Sequence, residues 1–411
     1  MSSPRFLFLQ GVCSPMFRRL AARLRAAGAS VDKVNFNAGD VAYWAAPATL
    51  FRGRLSALPD WLEALIARRH VSDLVAFGDC RPVHELAIAR ARSLGLRIHV
   101  LEEGYFRPHW FTLERDGVNA RSRLPRDPQW YREAAQVLPP LPPQLEFSQP
   151  FRIRALHDVA YHTAGMLNPV LSPHYRSHAQ KLAPFEYAGF LRRRLRDRRE
   201  AAAAAAQIRD WLAHDRPFFL LPLQLDHDSQ IRVHSRYTGM SEVVEEVMTS
   251  FARHAPADCR LLIKSHPLDH RWRSLRGDVE ARRRTLALGD RVHFIETGDL
   301  PTLVERAAGL ITVNSTVGTM ALQAGRPVIT LGKAIYDLPG LSFAGPLDAF
   351  WREPTPPDRA LVESFERVVM HTTQINGGLY GPAAIALGLD AAAARLLSPH
   401  SELERLLAAG A

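Results

Sequence analysis

Short apolar runs such as Phe6–Leu9 and Phe218–Leu223 alternate along this chain with longer stretches in which apolar residues recur at helical spacing. A short apolar run bounded by turn residues reads as a buried strand, and the periodic stretch after it as an amphipathic helix. In the first half this predicts strands Arg5–Leu9, Val31–Asn35, Leu74–Ala76 and Arg97–Leu101. Helices are expected from about Pro15 to Ala27, near Trp61–Arg69 and at Val83–Ser93. In the second half the predicted strands are Phe218–Leu221, Arg260–Ile263, Val292–Ile295, Gly309–Thr312 and Pro327–Thr330. Helices fall near Ser241–Arg253, Trp272–Leu286 and Thr316–Ala324. Strands alternating with helices of this length indicate βαβ units and parallel sheets.

Between the two alternations lies the stiff run Leu138-Pro139-Pro140-Leu141-Pro142-Pro143, which can continue neither a helix nor a strand. Residues 152–214 then read as helical, ending in the strong helix former Ala201–Ala206. A length of 411 residues suits two domains of roughly 150–200 residues. The expectation is an α/β chain of two facing Rossmann-like domains with a cleft between them. It has an N-terminal domain over 1–150, a helical connection over 151–214, a second Rossmann-like domain over 215–345, and a C-terminal helical segment, 346–411, returning toward the first.

Composition narrows the class. With 47% hydrophobic and 23% charged residues the chain is a soluble globular type, and no apolar run approaches the ~20 residues of a membrane span. The N-terminus shows no basic segment followed by an apolar one, so no secretory signal is expected. Cys13, Cys80 and Cys259 are far apart, form no C-x-x-C pair and read as small buried hydrophobes in a reducing cytoplasm. The formal charge of +10 favours anionic partners. Its densest cluster, Arg192–Arg199, is either a solvated helix face or a contact with an anionic membrane surface. Arginine clusters without interleaved stacking aromatics argue against nucleic acid.

Four motifs stand at the ends of predicted strands, where open parallel sheets bind their ligands. Asn314-Ser315-Thr316-Val317-Gly318 opens a helix, where hydroxyls cap N–H groups or hold phosphate. Lys264-Ser265-His266-Pro267 puts a cation and an imidazole after a strand that Pro267 stops. Glu102-Glu103-Gly104 sets two carboxylates at the mouth of a sheet, of which period-two alternation points only one into the cleft. Such a group serves as general acid or base on a hydroxyl. Asp226 and Asp228 lie beside Gln224, Gln230 and Arg232, and one of them is placed to attack an anomeric carbon or steady a cation. No P-loop and no G-x-G-x-x-G after the first strand is present, so those nucleotide sites are not expected. His266 and His270 are spaced i,i+4, but Pro267 between them and the lack of a matching Glu argue against zinc, as does Pro173 beside the pair His174/His178.

Taken together, these stretches resemble the capsular polysaccharide β-Kdo transferases of the KpsS/LipB type. Those that carry the resemblance are Phe6–Gly11, Val34–Asp40, Glu102–Pro108, Leu223-Gln224-Leu225 through His234-Ser235, Lys264–Pro267 and Thr312 through Gly340. The resemblance implies a GT-B fold, CMP-Kdo as donor and transfer with retention. It also resembles CMP-sialic acid transferases, which carry an acidic-pair-Gly motif, a His-Pro motif and a Ser/Thr pair. By that likeness Glu102 or Glu103 serves the acceptor hydroxyl, and His266, Ser315 and Thr316 contact the CMP phosphate. Lys264, Pro267, Asn314, Gly318, Gln224 and Arg232 complete the expected donor site, and Glu296 stands where a ribose-binding carboxylate belongs. In the retaining relatives the aspartate of a Gln-x-x-x-Asp pattern is the nucleophile, which maps to Asp228, with Asp226 an extra acid. The implied acceptor is a (lyso)phosphatidylglycerol at the cytoplasmic face of the inner membrane, with a second Kdo transferase and the capsule export machinery as further partners. No metal or other cofactor is implied: Lys264, His266 and the helix start suffice for one phosphodiester. The rival readings are an inverting CMP- or UDP-sugar transferase and a non-catalytic capsule export or binding protein.

Overall fold

The alternation of side chains along β1 (Arg5–Phe8) sets out the first layer of the molecule. Phe6 and Phe8 pack with Met16, Phe17, Leu20 and Leu24 of α1 (Met16–Ala26) on one face. Leu7 faces the other way, onto Leu58, Leu62 and Leu65 of α3 (Leu58–Arg69) and Ala87, Ile88 and Ala91 of α4 (Pro82–Ser93). A strand buried on both faces needs no polar side, which is why the parallel strands read as continuous apolar runs.

The computed structural model describes residues 3–44, 46–176, 205–206, 208–213, 216–226, 229–269 and 275–410. Arg192–Arg199, most of the Ala201–Ala206 run, His178, Asp228 and His270 lie outside the described residues. The chain divides into two compact units. The first takes residues 1–125, 133–178 and 366–411, and the second takes 126–132 and 179–365. Residues 151–178, read as connection, thus count with the first unit, and 346–365 stay with the second.

The first unit holds a seven-stranded sheet in the order β12-β6-β5-β4-β1-β2-β3. Its strands are β1, β2 (Ser30–Asn35), β3 (Thr49–Leu50), β4 (Asp73–Phe77), β5 (Arg97–Glu103), β6 (Trp110–Arg115) and β12 (Gln374–Asn376). Strands β3 to β5 are parallel, in the order 3-2-1-4-5 counted along the chain. Two departures from expectation bear on the site. β5 runs two residues further than predicted, through Glu103, because β6 returns antiparallel beside it and pairs Glu102 with Thr112 and Glu103 with Phe111. β12 then closes that edge, antiparallel to β6. Also unpredicted is the short α2 (Ala38–Tyr43), on which α6 (Phe151–Ala164) packs. Other helices wholly or partly in this unit include α5 (Pro128–Val137), α7 (Asn168–Leu171), Pro382–Leu397 and Glu402–Ala408.

The second unit holds five parallel strands in the order β11-β10-β7-β8-β9. These are β7 (Phe218–Pro222), β8 (Arg260–Lys264), β9 (Val292–Ile295), β10 (Gly309–Thr312) and β11 (Val328–Thr330). Counted along the chain this is again 3-2-1-4-5. In each sheet the order reverses beside the first strand, between β1 and β4 and between β7 and β10. Such a switch point opens a crevice at the carboxyl ends of the strands. The core joins Phe219, Leu221, Leu261 and Ile263 of the sheet to Val243, Val247 and Phe251 of helix Met240–His254 and to Trp351.

Candidate functional site

Hydrogen bonding carries the ladder of the second sheet past its strand ends, with Leu223 N–H on the Lys264 carbonyl and Ser265 N–H on the Ile295 carbonyl, both at 2.8 Å. The predicted donor residues follow in a row across those ends. At the switch point Gln224 and Asn314, both buried, make a reciprocal amide pair: Gln224 Nε2 donates to Asn314 Oδ1 at 3.2 Å, and Asn314 N–H approaches Gln224 Oε1 at 3.4 Å. Their first effect is to lock the β7 and β10 loops together. Ser315 and Thr316 follow, half-buried. Ser315 Oγ accepts from Val317 N–H at 3.2 Å, so its hydroxyl proton points elsewhere. Thr316 occupies the N-cap of helix Val317–Gln323 but makes no side-chain cap.

Gly318 has a packing role that its motif did not announce. A Cβ there would sit 2.1 Å from the hydroxyl of Tyr336, and its N–H is taken by the Ser315 carbonyl at 2.9 Å. The glycine seats Tyr336, whose hydroxyl donates to the same Ser315 carbonyl. This is a support for the loop that carries Ser315.

On the other side of β7, Lys264 is the last residue of β8 and almost fully buried. His266 is half-buried and Pro267 exposed. Leu268 N–H donates to His266 Nδ1 at 3.1 Å, which leaves the proton of the neutral ring on Nε2. Glu296, beyond β9, is ion-paired with Arg276 at 3.4 Å. Arg232 is exposed and donates to the Asp226 carbonyl at 3.1 Å. Asp226 itself caps helix Met240–His254, its Oδ1 accepting from Met240 N–H at 2.8 Å. Asp228 lies outside the described residues.

In the first unit the two glutamates diverge. Glu102 Oε1 accepts from Glu103 N–H at 3.0 Å, and burial, with the neighbouring Glu103 charge, pushes its carboxyl up to about 7. Burial acts on Glu103 as well, but the Arg107 and Arg154 charges and a bond from Tyr380 prevail and hold it below the usual range. Arg154 reaches Glu103 at 3.3 Å and stacks on the Tyr380 ring at 4.8 Å, while Tyr380 OH stands 3.5 Å from Glu103 Oε1. Adjacent carboxylates with opposed shifts are how one site separates a proton carrier from a fixed charge.

Sequence reasoning missed Arg154 and Tyr380, which carry no local motif. It also missed what holds Arg154's helix. Tyr161 OH of α6 donates to Asp40 Oδ1 at 2.9 Å and accepts from Asn37 Nδ2 at 2.8 Å and Gln10 Nε2 at 2.9 Å. Gly39 admits the Tyr161 ring, since a Cβ there would lie 2.7 Å from it. Asn37 Oδ1 caps α2 through Asp40 N–H at 2.8 Å. The stretches Phe6–Gly11 and Val34–Asp40 contain these residues, and a buried Gln10 ending an apolar strand was the available clue. The three cysteines form no disulfide; Cys259 is buried, but Cys13 and Cys80 are half-buried rather than fully buried.

A family model described as capsule polysaccharide biosynthesis protein matches residues 72–380. The chain is 34% identical over 397 residues to the capsule polysaccharide modification protein LipB of Neisseria meningitidis serogroup B, covering 92% of each. It is 33% identical over 392 residues to the capsule polysaccharide export protein KpsS of Escherichia coli, covering 92% of this chain and 98% of that one. Among solved structures it is similar to the β-Kdo 2,7 transferase of Thermosulfurimonas dismutans KpsC, at 15% identity and a TM-score of 0.45, covering 88% of this chain and 89% of that one.

Proposed function

Because the chain belongs to the capsule polysaccharide biosynthesis protein family, we propose that it is a glycosyltransferase moving Kdo from CMP-Kdo to a (lyso)phosphatidylglycerol-type lipid. The product would begin the β-Kdo linker of a capsular polysaccharide. One observation carries the reading: Glu102, pushed up to about 7, stands beside Glu103, which is held ionised by Arg107 and Arg154. A carboxyl that titrates near neutrality is suited to take the proton of an acceptor hydroxyl as it attacks. Glu103 keeps its charge and fixes Arg154.

On the donor side, Ser315 Oγ–H and His266 Nε2–H are single donors suited to a phosphodiester, and Lys264 supplies positive charge beside them. Donor, acceptor and lipid surface are all anionic, in keeping with the +10 charge. Asp228 takes the role of nucleophile and the reaction proceeds with retention and without a metal. Among the described residues no helix is long and apolar enough to cross a membrane, and the proposal places the protein at the cytoplasmic face of the inner membrane.

The test is to incubate purified protein with CMP-Kdo and a fluorescent phosphatidylglycerol, with and without EDTA, and to read product mass and anomeric configuration. A Kdo-lipid of retained configuration, insensitive to EDTA, is expected. An inverted product ends the role of Asp228, loss of activity in EDTA ends the metal-free reading, and no CMP release at all returns the chain to a binding or export role.

A further inference from the structure

The helix α6 that carries Arg154 contributes no fully buried residue along its fourteen positions. Polar pins hold its inner face: Arg154 on Glu103, Tyr161 on Asp40, and His157, whose Nδ1 lies 2.8 Å from Tyr43 OH. Its outer face and the α7 turn that follows are apolar and open. Leu156 is 68% exposed, Met166 78% and Val170 70%, with Val159 and Leu167 also exposed. Scattered surface apolar residues are ordinary, but this many within fifteen residues is a patch, and patches of this kind mark contacts.

Charge decides which contact. Arg152 and Arg176 are exposed on the same segment, and exposed Arg52 donates to the Val170 carbonyl at 2.9 Å. Between residues 151 and 176 the only acidic side chain is Asp158, which is half-buried and faces Arg154, His157 and His162. Exposed apolar side chains rimmed by cations, without acidic counterparts, match the acyl boundary and the anionic headgroups of a bilayer.

We propose that the outer face of α6 and α7 is the surface by which this protein sits on an anionic phospholipid bilayer. The same helix would then hold its inner residues at the glutamate site and its outer residues in the lipid, so that a headgroup acceptor has one helix diameter to cross. The proposal rests on the lipid-acceptor reading, but its test is separate from transfer.

The full chain is sedimented with vesicles of phosphatidylglycerol and, separately, of phosphatidylcholine, with no sugar donor present. Wild type is expected to bind phosphatidylglycerol vesicles and to release them as salt rises. A combined Leu156→Gln, Met166→Gln, Val170→Gln variant should lose apparent affinity by about tenfold or more, since three exposed apolar groups no longer leave water. A Leu55→Gln, Leu94→Gln control on the same unit should bind as wild type. A Met166→Trp variant adds a direct readout: its extra emission should shift to the blue with these vesicles and be quenched by lipid-borne quenchers.

Wild-type binding by the triple variant, or an unshifted Trp at 166, overturns the proposal. So does equal binding to phosphatidylcholine, or a concentration-dependent dimer that the triple variant dissolves, which would make a second copy the occupant. Vesicle binding through this face without Kdo transfer would leave the surface standing and end the transferase reading.

Discussion

Glu102 makes the sharpest prediction at the scale of single residues. Its carboxyl is raised by the fold from 4.5 to about 7, so the protonated form is the one the fold favours. That contribution is complete below pH 4.5 and is lost as pH rises through 7. Glu102→Gln should therefore raise the melting temperature at pH 8 and leave it near wild type at pH 4. A base must be ionised to work, so wild-type kcat should climb with pH through about 7 and the variant should be inactive. An active Glu102→Gln enzyme with the same pH profile would falsify the assignment. On the proposed donor side, Ser315→Ala and His266→Ala should each remove one donor to a charged oxygen, worth about 2 kcal/mol. Calorimetric CMP affinity should fall correspondingly, and unchanged affinity in both variants removes these residues from the phosphate site. The two aspartates should also separate. Asp228→Asn keeps CMP binding and loses transfer, whereas Asp226→Asn, still able to accept the Met240 N–H, keeps most of its activity.

At the scale of elements, α6 is placed by a few polar contacts instead of by a core, and its docking should be easy to break. Gly39→Ala drives a methyl into the Tyr161 ring. Tyr161→Phe removes one hydroxyl and takes partners from Asp40, Asn37 and Gln10, at about 1–3 kcal/mol for buried polar groups left unmatched. Both variants should speed amide exchange across 151–164 and lower transfer while CMP affinity holds; protection equal to wild type would show that other contacts dock the helix. Such contacts explain which elements were legible in the sequence. The parallel strands were, because double-sided burial writes them as apolar runs, and β9 and β10 fall on the predicted residues. β6 was not: all six of its residues are buried, yet they include Glu114 and Arg115, whose charges break the run. β12 has three residues, too few for any period. The motifs at strand ends were legible because each is local. Arg154 and Tyr380 join Glu103 from 51 and 277 residues away, and no local pattern announces such a meeting.

The whole molecule adds one constraint: the unit that holds the glutamate pair is closed by the last stretch of the chain. Ile375, Ile385, Leu389 and Leu396 lie in one cluster with Phe6, Phe8 and Phe111, and β12 covers the edge of β6. Burying four such side chains is worth about 6–12 kcal/mol at roughly 1.5–3 kcal/mol each. That equals the whole stability of an ordinary domain, about 5–15 kcal/mol. The described core cluster of the second unit, by contrast, draws its residues from 219–351. A chain ending at Phe365 should thus lose the first unit and keep the second. Limited proteolysis should leave a protected fragment from about residue 216 to the new end, and thermal unfolding should show a single transition of reduced enthalpy. Because the proposed donor row lies in the surviving unit, CMP should still bind; because Tyr380 and the Arg154–Glu103 contact are gone, transfer should be absent. If the shortened chain instead melts with undiminished enthalpy and transfers Kdo, the C-terminal stretch is a covering and not a part of the first core. If it folds but binds no CMP, the donor row depends on the first unit, and the assignment of donor and acceptor chemistry to separate units fails.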